Sequence, residues 1–220
     1  MASINGLKKK INTRLFEIRR RINAKRYSCF SGEKTQISIL SCNCTGGVLM
    51  HEYNMKFMTP TVNYYMKATD FVKFVENLEQ YLNAPITNST DGESEELHYP
   101  VFMIEDIKIY GVHYRNIEEF TEMWNRRKKR LRMDNIFCIF TDRDGFDESL
   151  LSRIDAIPYK KVMFSHVEYP EYSWVCYIPG FEKEKEIVSL TDFMGITGKR
   201  YYSRYDFKSV FTEMSKYNQK

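Results

Sequence analysis

Side chains able to do chemistry gather in this chain at the ends of apolar runs, and the sharpest group is Asp142-Arg143-Asp144-Gly145, which follows Ile136 to Phe140. Two carboxylates one residue apart, at the carboxyl end of a buried strand, can share a hard cation such as Mn²⁺ or Mg²⁺. That cation can in turn bridge the two phosphates of a nucleotide-sugar. Arg143 between them is a substrate-binding candidate, and Gly145 lets the chain turn sharply. The same four residues are also good turn formers, so the pattern serves a loop as well as a metal site.

A second group, Cys42-Asn43-Cys44-Thr45-Gly46-Gly47, closes the apolar run Gln36 to Ser41. Cys44 could act as a nucleophile beside unencumbered glycine amides, with His113 as base and Asp142 or Asp144 as orienter. With a nucleotide donor, Gly46 and Gly47 would instead admit the nucleotide, with Asn43 beside them as a further substrate contact. A buried cysteine is more commonly a small hydrophobe, and no second Cys or His pair stands near enough to complete a four-ligand metal site. His113, in Val112-His113-Tyr114, is a strand-end candidate for base or acceptor orienter. His51, His98 and His166 stand in weaker contexts and form no known ligand spacing. Lys199 and Arg200 could close over a diphosphate, though a solvated turn explains them as well. Phosphate loops and the dinucleotide fingerprint are absent, so no organic cofactor is expected.

The elements that must position these residues read as an α/β domain. Hydrophobic residues make up 43% and charged residues 28% of the 220, the composition of a folded globular chain. Strands are expected over Gln36 to Ser41, Tyr99 to Ile104, Ile107 to Val112, Asn135 to Thr141, Tyr159 to Ser165 and Trp174 to Ile178. Glu105-Asp106 would turn a hairpin between the second and third. Helices are expected behind a Thr69-Asp70 cap, from Asn116 with acids ahead of bases, over Asp147 to Ile157 and from about Asp206. Residues 84 to 96 have the composition of an exposed loop. Strands alternating with helices predict a three-layer domain with a mixed sheet over residues 31–220.

Residues 1–30 differ. Leu7, Ile11, Leu15, Ile18 and Ile22 fall on one side of a helix, and residues 1 to 28 hold nine Lys or Arg against Glu17, so they carry +8 of a net +4 and leave the remainder mildly acidic. This predicts a basic amphipathic helix that lies on an anionic membrane surface through residues 7–26, or packs on its own domain or on a second subunit. No base-reading motif accompanies the charge, so nucleic acid is not expected. Five cysteines, an odd number, and no apolar core of signal length point to a reducing cytoplasm. No apolar run approaches the roughly 18 residues that span a bilayer.

Several blocks follow one another in order: Ile39 through Gly47, Thr59-Pro60-Thr61, Tyr99-Pro100-Val101, His113-Tyr114, Trp124 to Arg127, Asp134 to Phe137, Thr141 to Gly145, Pro158 to Lys161, Leu190 to Phe193 and Gly198 to Tyr202. Together they resemble the bacterial domain-of-unknown-function family numbered 1919, over about residues 36 to 212. Its members tend to accompany genes for exopolysaccharide, capsule or lipopolysaccharide biosynthesis. The resemblance implies a compact α/β fold and a surface-polysaccharide role. The first loop in relatives reads more like Ser-Asn-Asn-Cys-Trp-Gly-Gly, so Cys42 stands for an Asn and Thr45 for the Trp, while Cys44 and both glycines match. The expected function is therefore glycosyltransferase-like: sugar transfer from a nucleotide-sugar to a lipid-linked glycan at the cytoplasmic membrane face, with a divalent metal on Asp142 and Asp144. The alternatives are a Cys44/His113/Asp142 acyltransferase or hydrolase that modifies the polymer, and a non-enzymatic pathway protein.

Overall fold

A computed structural model of the chain describes residues 2–26, 28–31 and 36–217, with side chains over 6–25, 28–31 and 36–215. Residues 32–35 and the side chain of Arg26 lie outside the described residues. Helix α1 (Ala2–Arg26) leads into β1 (Ser38–Ser41), α2 (Thr45–Glu52), α3 (Ala68–Glu76) and α4 (Leu78–Asn83). Then come β2 (Ile86–Asn88), α5 (Glu93–Leu97), β3 (Val101–Ile104), β4 (Ile107–Tyr110) and α6 (Ile117–Lys128). The chain ends with β5 (Ile136–Thr141), α7 (Leu150–Ala156), β6 (Lys160–Ser165), β7 (Val175–Tyr177) and α8 (Phe207–Tyr217).

The domain is α/β as expected, and its parallel and antiparallel pairings are divided between two sheets. One is a parallel sheet in the order β1-β5-β6-β7, and the other is an antiparallel sheet in the order β2-β3-β4. Every residue of β5 is buried, which is why it reads as a continuous apolar run. Successive side chains alternate between two cores. Ile136, Cys138 and Phe140 enter the one built with α3, α4, α6, α7 and the antiparallel sheet. Phe137 and Ile139 enter the one built with α2 and α8. The parallel sheet is thus the middle of three layers.

Local chemistry explains most boundaries. Asn116 caps α6, its Oδ1 accepting from the Glu119 amide at 2.9 Å. At α3 the expected Thr69-Asp70 cap is displaced: the helix starts at Ala68 behind Lys67, without a side-chain cap. Asp70 instead accepts the Lys108 amide of β4 at 3.2 Å. The expected loop at 84 to 96 contains β2 and α5, because β2 finds a partner in β3, with Ile86 opposite Ile104. Arg127 does not stay in the solvated basic tail of α6. It is buried and donates to Tyr114 Oη at 2.8 Å.

Candidate functional site

The carboxyl ends of β1, β5 and β6 carry the site, the edge where parallel sheets commonly hold ligands. Asp142, one residue beyond β5, is 5% exposed. Its Oδ2 accepts from Ser165 Oγ at 3.0 Å and from the His166 amide at 2.7 Å, and it meets His166 Nδ1 at 2.5 Å. Its Oδ1 accepts from the Ile187 amide at 3.1 Å. His166 directly follows β6 and keeps 16% of its side chain open, and its Nε2 has no hydrogen-bond partner among the described residues. A buried carboxylate on Nδ1 selects the tautomer that offers Nε2 as a proton acceptor. His166 is the residue that the sequence reading passed over. The signal available for it was its place right after an apolar strand, two residues past Phe164.

Arg143 and Asp144, next in the same loop, turn the other way and line a cleft of about 340 Å³ with Asn43, Thr45, Tyr65 and Thr191. Asp144 adopts a left-handed φ of 58° and Gly145 one of 80°, which lets the loop reverse within two residues. The Asp144 amide donates to Glu186 Oε2 at 3.0 Å. Burial holds the Asp144 carboxyl above its ordinary range, the nearby Arg143 opposes that and Glu186 adds to it. Arg143 reaches Glu186 only at 3.9 Å and its Nε has no hydrogen-bond acceptor. The cleft therefore holds a cation and an acid that are both poorly satisfied by the protein, the usual mark of groups kept for a ligand.

Several expected roles are not supported by this geometry. Both Asp142 oxygens already accept from protein donors, and among the described residues no three His, Cys, Asp or Glu converge as ligands around it and Asp144. Cys44 lines the cleft, but among the described residues no hydrogen bond or ion pair joins it to His113 or Asp142. Cys44 Sγ faces the Tyr64 carbonyl at 3.9 Å and burial raises its pKa, opposite to what a nucleophilic thiol needs. His113 is exposed in the turn after β4, and the imidazole that Asp142 orients is His166. Gly46 packs rather than binds: a Cβ there would lie 2.7 Å from Ser41 Cβ, and its amide already donates to Ser41 Oγ at 3.2 Å. Gly47 lies against Val62. Asn43 lines the cleft but spends its Oδ1 on the Thr45 amide at 3.0 Å, as a turn.

Lys199 and Arg200 also lie outside the cleft. Lys199 borders a separate cavity beside α1 with Arg19, Glu52 and Arg204. The Arg200 guanidinium lies over the rings of both Phe16 in α1 and Phe193, at 4.4 and 4.9 Å from their centroids, and donates to the Thr191 carbonyl. It braces the cleft wall from behind.

Comparison with known proteins gives no reaction to set beside this geometry. The profile of DUF1919, a domain of unknown function, matches residues 15–212. The chain is 35% identical over 176 residues to an uncharacterized protein of Haemophilus influenzae, which covers 80% of this chain and 84% of the relative.

Proposed function

The chain belongs to the DUF1919 family, and from its site we propose that it is a glycosyl-transferring enzyme in which His166, oriented by Asp142, takes the proton of an acceptor hydroxyl. The observation that carries the reading is the Asp142–His166 contact of 2.5 Å at the carboxyl edge of the parallel sheet. The cleft lined by the next two residues of the loop, Arg143 and Asp144, would take the donor. In the transfer step the acceptor oxygen forms a bond to the sugar anomeric carbon and its proton passes to His166 Nε2. The bond from that carbon to phosphate breaks, and the nucleoside diphosphate leaves with the electron pair. Arg143 would meet the diphosphate, and Asp144, Asn43 and Thr191 the sugar hydroxyls. Arg143 at the cleft offers a partner to an anionic diphosphate and so favours a nucleotide-sugar donor. The reading sets the protein in surface-polysaccharide assembly, in the cytoplasm where such donors are made, against a lipid-linked acceptor at the inner membrane face.

Thermal unfolding with nucleoside diphosphates, paired with release of diphosphate from nucleotide-sugars, tests it. Uridine or guanosine diphosphate should raise the melting temperature of the wild type, and Arg143→Ala should abolish the rise. His166→Ala should keep the rise but lose turnover by about 10²- to 10⁴-fold, the usual worth of a positioned base. Absence of a shift with every nucleotide would remove the donor assignment. A turnover rate unchanged in His166→Ala would remove the base.

A further inference from the structure

Helix α1 hides a polar side chain and leaves four apolar ones exposed to water. Asn12 is 6% exposed, whereas Leu7, Ile11, Ile18 and Ile22 are 60%, 36%, 54% and 57% exposed. A buried polar group and an exposed apolar row are the informative departures from ordinary burial. The packed face is specific. Asn12 Nδ2 donates to the Gly195 carbonyl at 2.7 Å and its Oδ1 accepts the Gly198 amide at 3.1 Å. Arg19 Nε donates to the Thr197 carbonyl at 2.8 Å, Asn23 reaches Glu52 at 3.3 Å, and Phe16 packs edge-on against Phe193 at 5.6 Å. These contacts fix the rotation of the helix about its axis.

That rotation turns two rows outward. The apolar row has spacings of 4, 7 and 4, and three residues after each member comes a cation: Lys10, Arg14, Arg21 and Lys25. All four cations are exposed, and at 3.6 residues per turn they run along the edge of the apolar row that faces away from the packed side. Residues 6–25 hold eight Lys or Arg and the single acid Glu17. Ile196, in the turn that α1 grips, is 51% exposed as well. No described helix is long and apolar enough to cross a membrane.

We propose that α1 docks the protein on an anionic phospholipid surface, with Leu7, Ile11, Ile18 and Ile22 in the interface and Lys10, Arg14, Arg21 and Lys25 on headgroup phosphates. Charge complementarity selects this occupant. A second copy of α1 would set two like-charged rows against each other, and a purely apolar protein groove would leave the basic row unpaired. The docking deepens the transfer reading by naming the surface on which a lipid-linked acceptor is met, yet it stands on α1 alone.

Co-sedimentation of the full chain with vesicles tests it without turnover, so a failed nucleotide assay leaves this result intact. Binding is expected to phosphatidylcholine vesicles containing phosphatidylglycerol, weak binding to phosphatidylcholine alone, and loss at high salt. The double variant Ile11→Ser/Ile18→Ser should bind about tenfold more weakly at unchanged melting temperature. Arg14→Gln/Arg21→Gln should lose roughly fivefold per charge. Three results would overturn the proposal: no binding to anionic vesicles, binding indifferent to both double variants, or a wild-type dimer that Ile11→Ser/Ile18→Ser dissolves.

Discussion

Asp144 sits where a carboxylate is poorly served, and this makes its replacement informative. Burial raises its pKa above the ordinary carboxylate range, so between the unfolded pKa and the raised folded one the folded state binds more protons than the unfolded, and stability falls as pH rises through the window. Asp144→Asn, which tolerates the left-handed φ of 58°, is therefore expected to be more stable than wild type at neutral pH. The gain should vanish in acid below the unfolded pKa, where both side chains are neutral, and the same variant should lose donor binding. Melting curves at neutral and acid pH check it. The thiols give a second residue-scale test. Cys29 is exposed, while Cys42 and Cys138 are buried and Cys44 is half-buried, and burial pushes the Cys42 thiol up to about 12. Iodoacetamide near neutral pH should label Cys29 first, and selective early labelling of Cys44 would restore its candidacy as a nucleophile. At this scale the sequence located the 142–145 loop but not its partner. Asp142 and His166 are 24 residues apart, and only the pairing of β5 with β6 brings their ends together.

At the scale of elements, pattern reading worked where one segment carries its own signal. The run Asn135 to Thr141 reads as a buried strand, and Asn116 ahead of Glu118 and Glu119 announces α6. It failed where the partner decides: β2 is polar enough to read as loop until β3 is beside it, and Asp70 spends its carboxylate on β4 instead of a cap. For α1 the periodicity identified the apolar row but could not say which row packs. Gly198 is what lets the packed row approach, since with a φ of 63° a Cβ there would stand 2.7 Å from Leu15 Cβ and 2.8 Å from the Phe16 amide. Gly198→Ala should therefore unseat α1, through left-handed strain of about 1–2 kcal/mol together with the clash. Amides of residues 12–20 should exchange about tenfold faster, the factor that corresponds to about 1.4 kcal/mol of lost local stability. Protection equal to wild type would show that the contact is dispensable.

For the whole molecule, the two sheets share one core. Phe102, Ile104, Ile107 and Ile109 of the antiparallel sheet are buried in the same cluster as Leu40, Cys138 and Phe140 of the parallel one. Neither sheet can open without exposing the other, so urea unfolding should be one transition despite the two pairing patterns. Trp124, buried in that shared cluster, and Trp174, beside β7, are the two tryptophans of the chain. Fluorescence of Trp174→Phe, which isolates Trp124, should overlay the far-ultraviolet circular dichroism curve, and separated midpoints would mark two cooperative units. The same integration reaches the chain's beginning through Arg200, whose guanidinium stacks on Phe16 of α1 and also donates to the carbonyl of Thr191 in the cleft wall. A single planar cation thus serves as both a seat for the first helix and a strut for the ligand chamber. Thermodynamic reciprocity follows wherever filling the chamber shifts that strut: whatever loads the helix must alter the chamber's affinity, and whatever fills the chamber must alter the grip on the helix by the same factor.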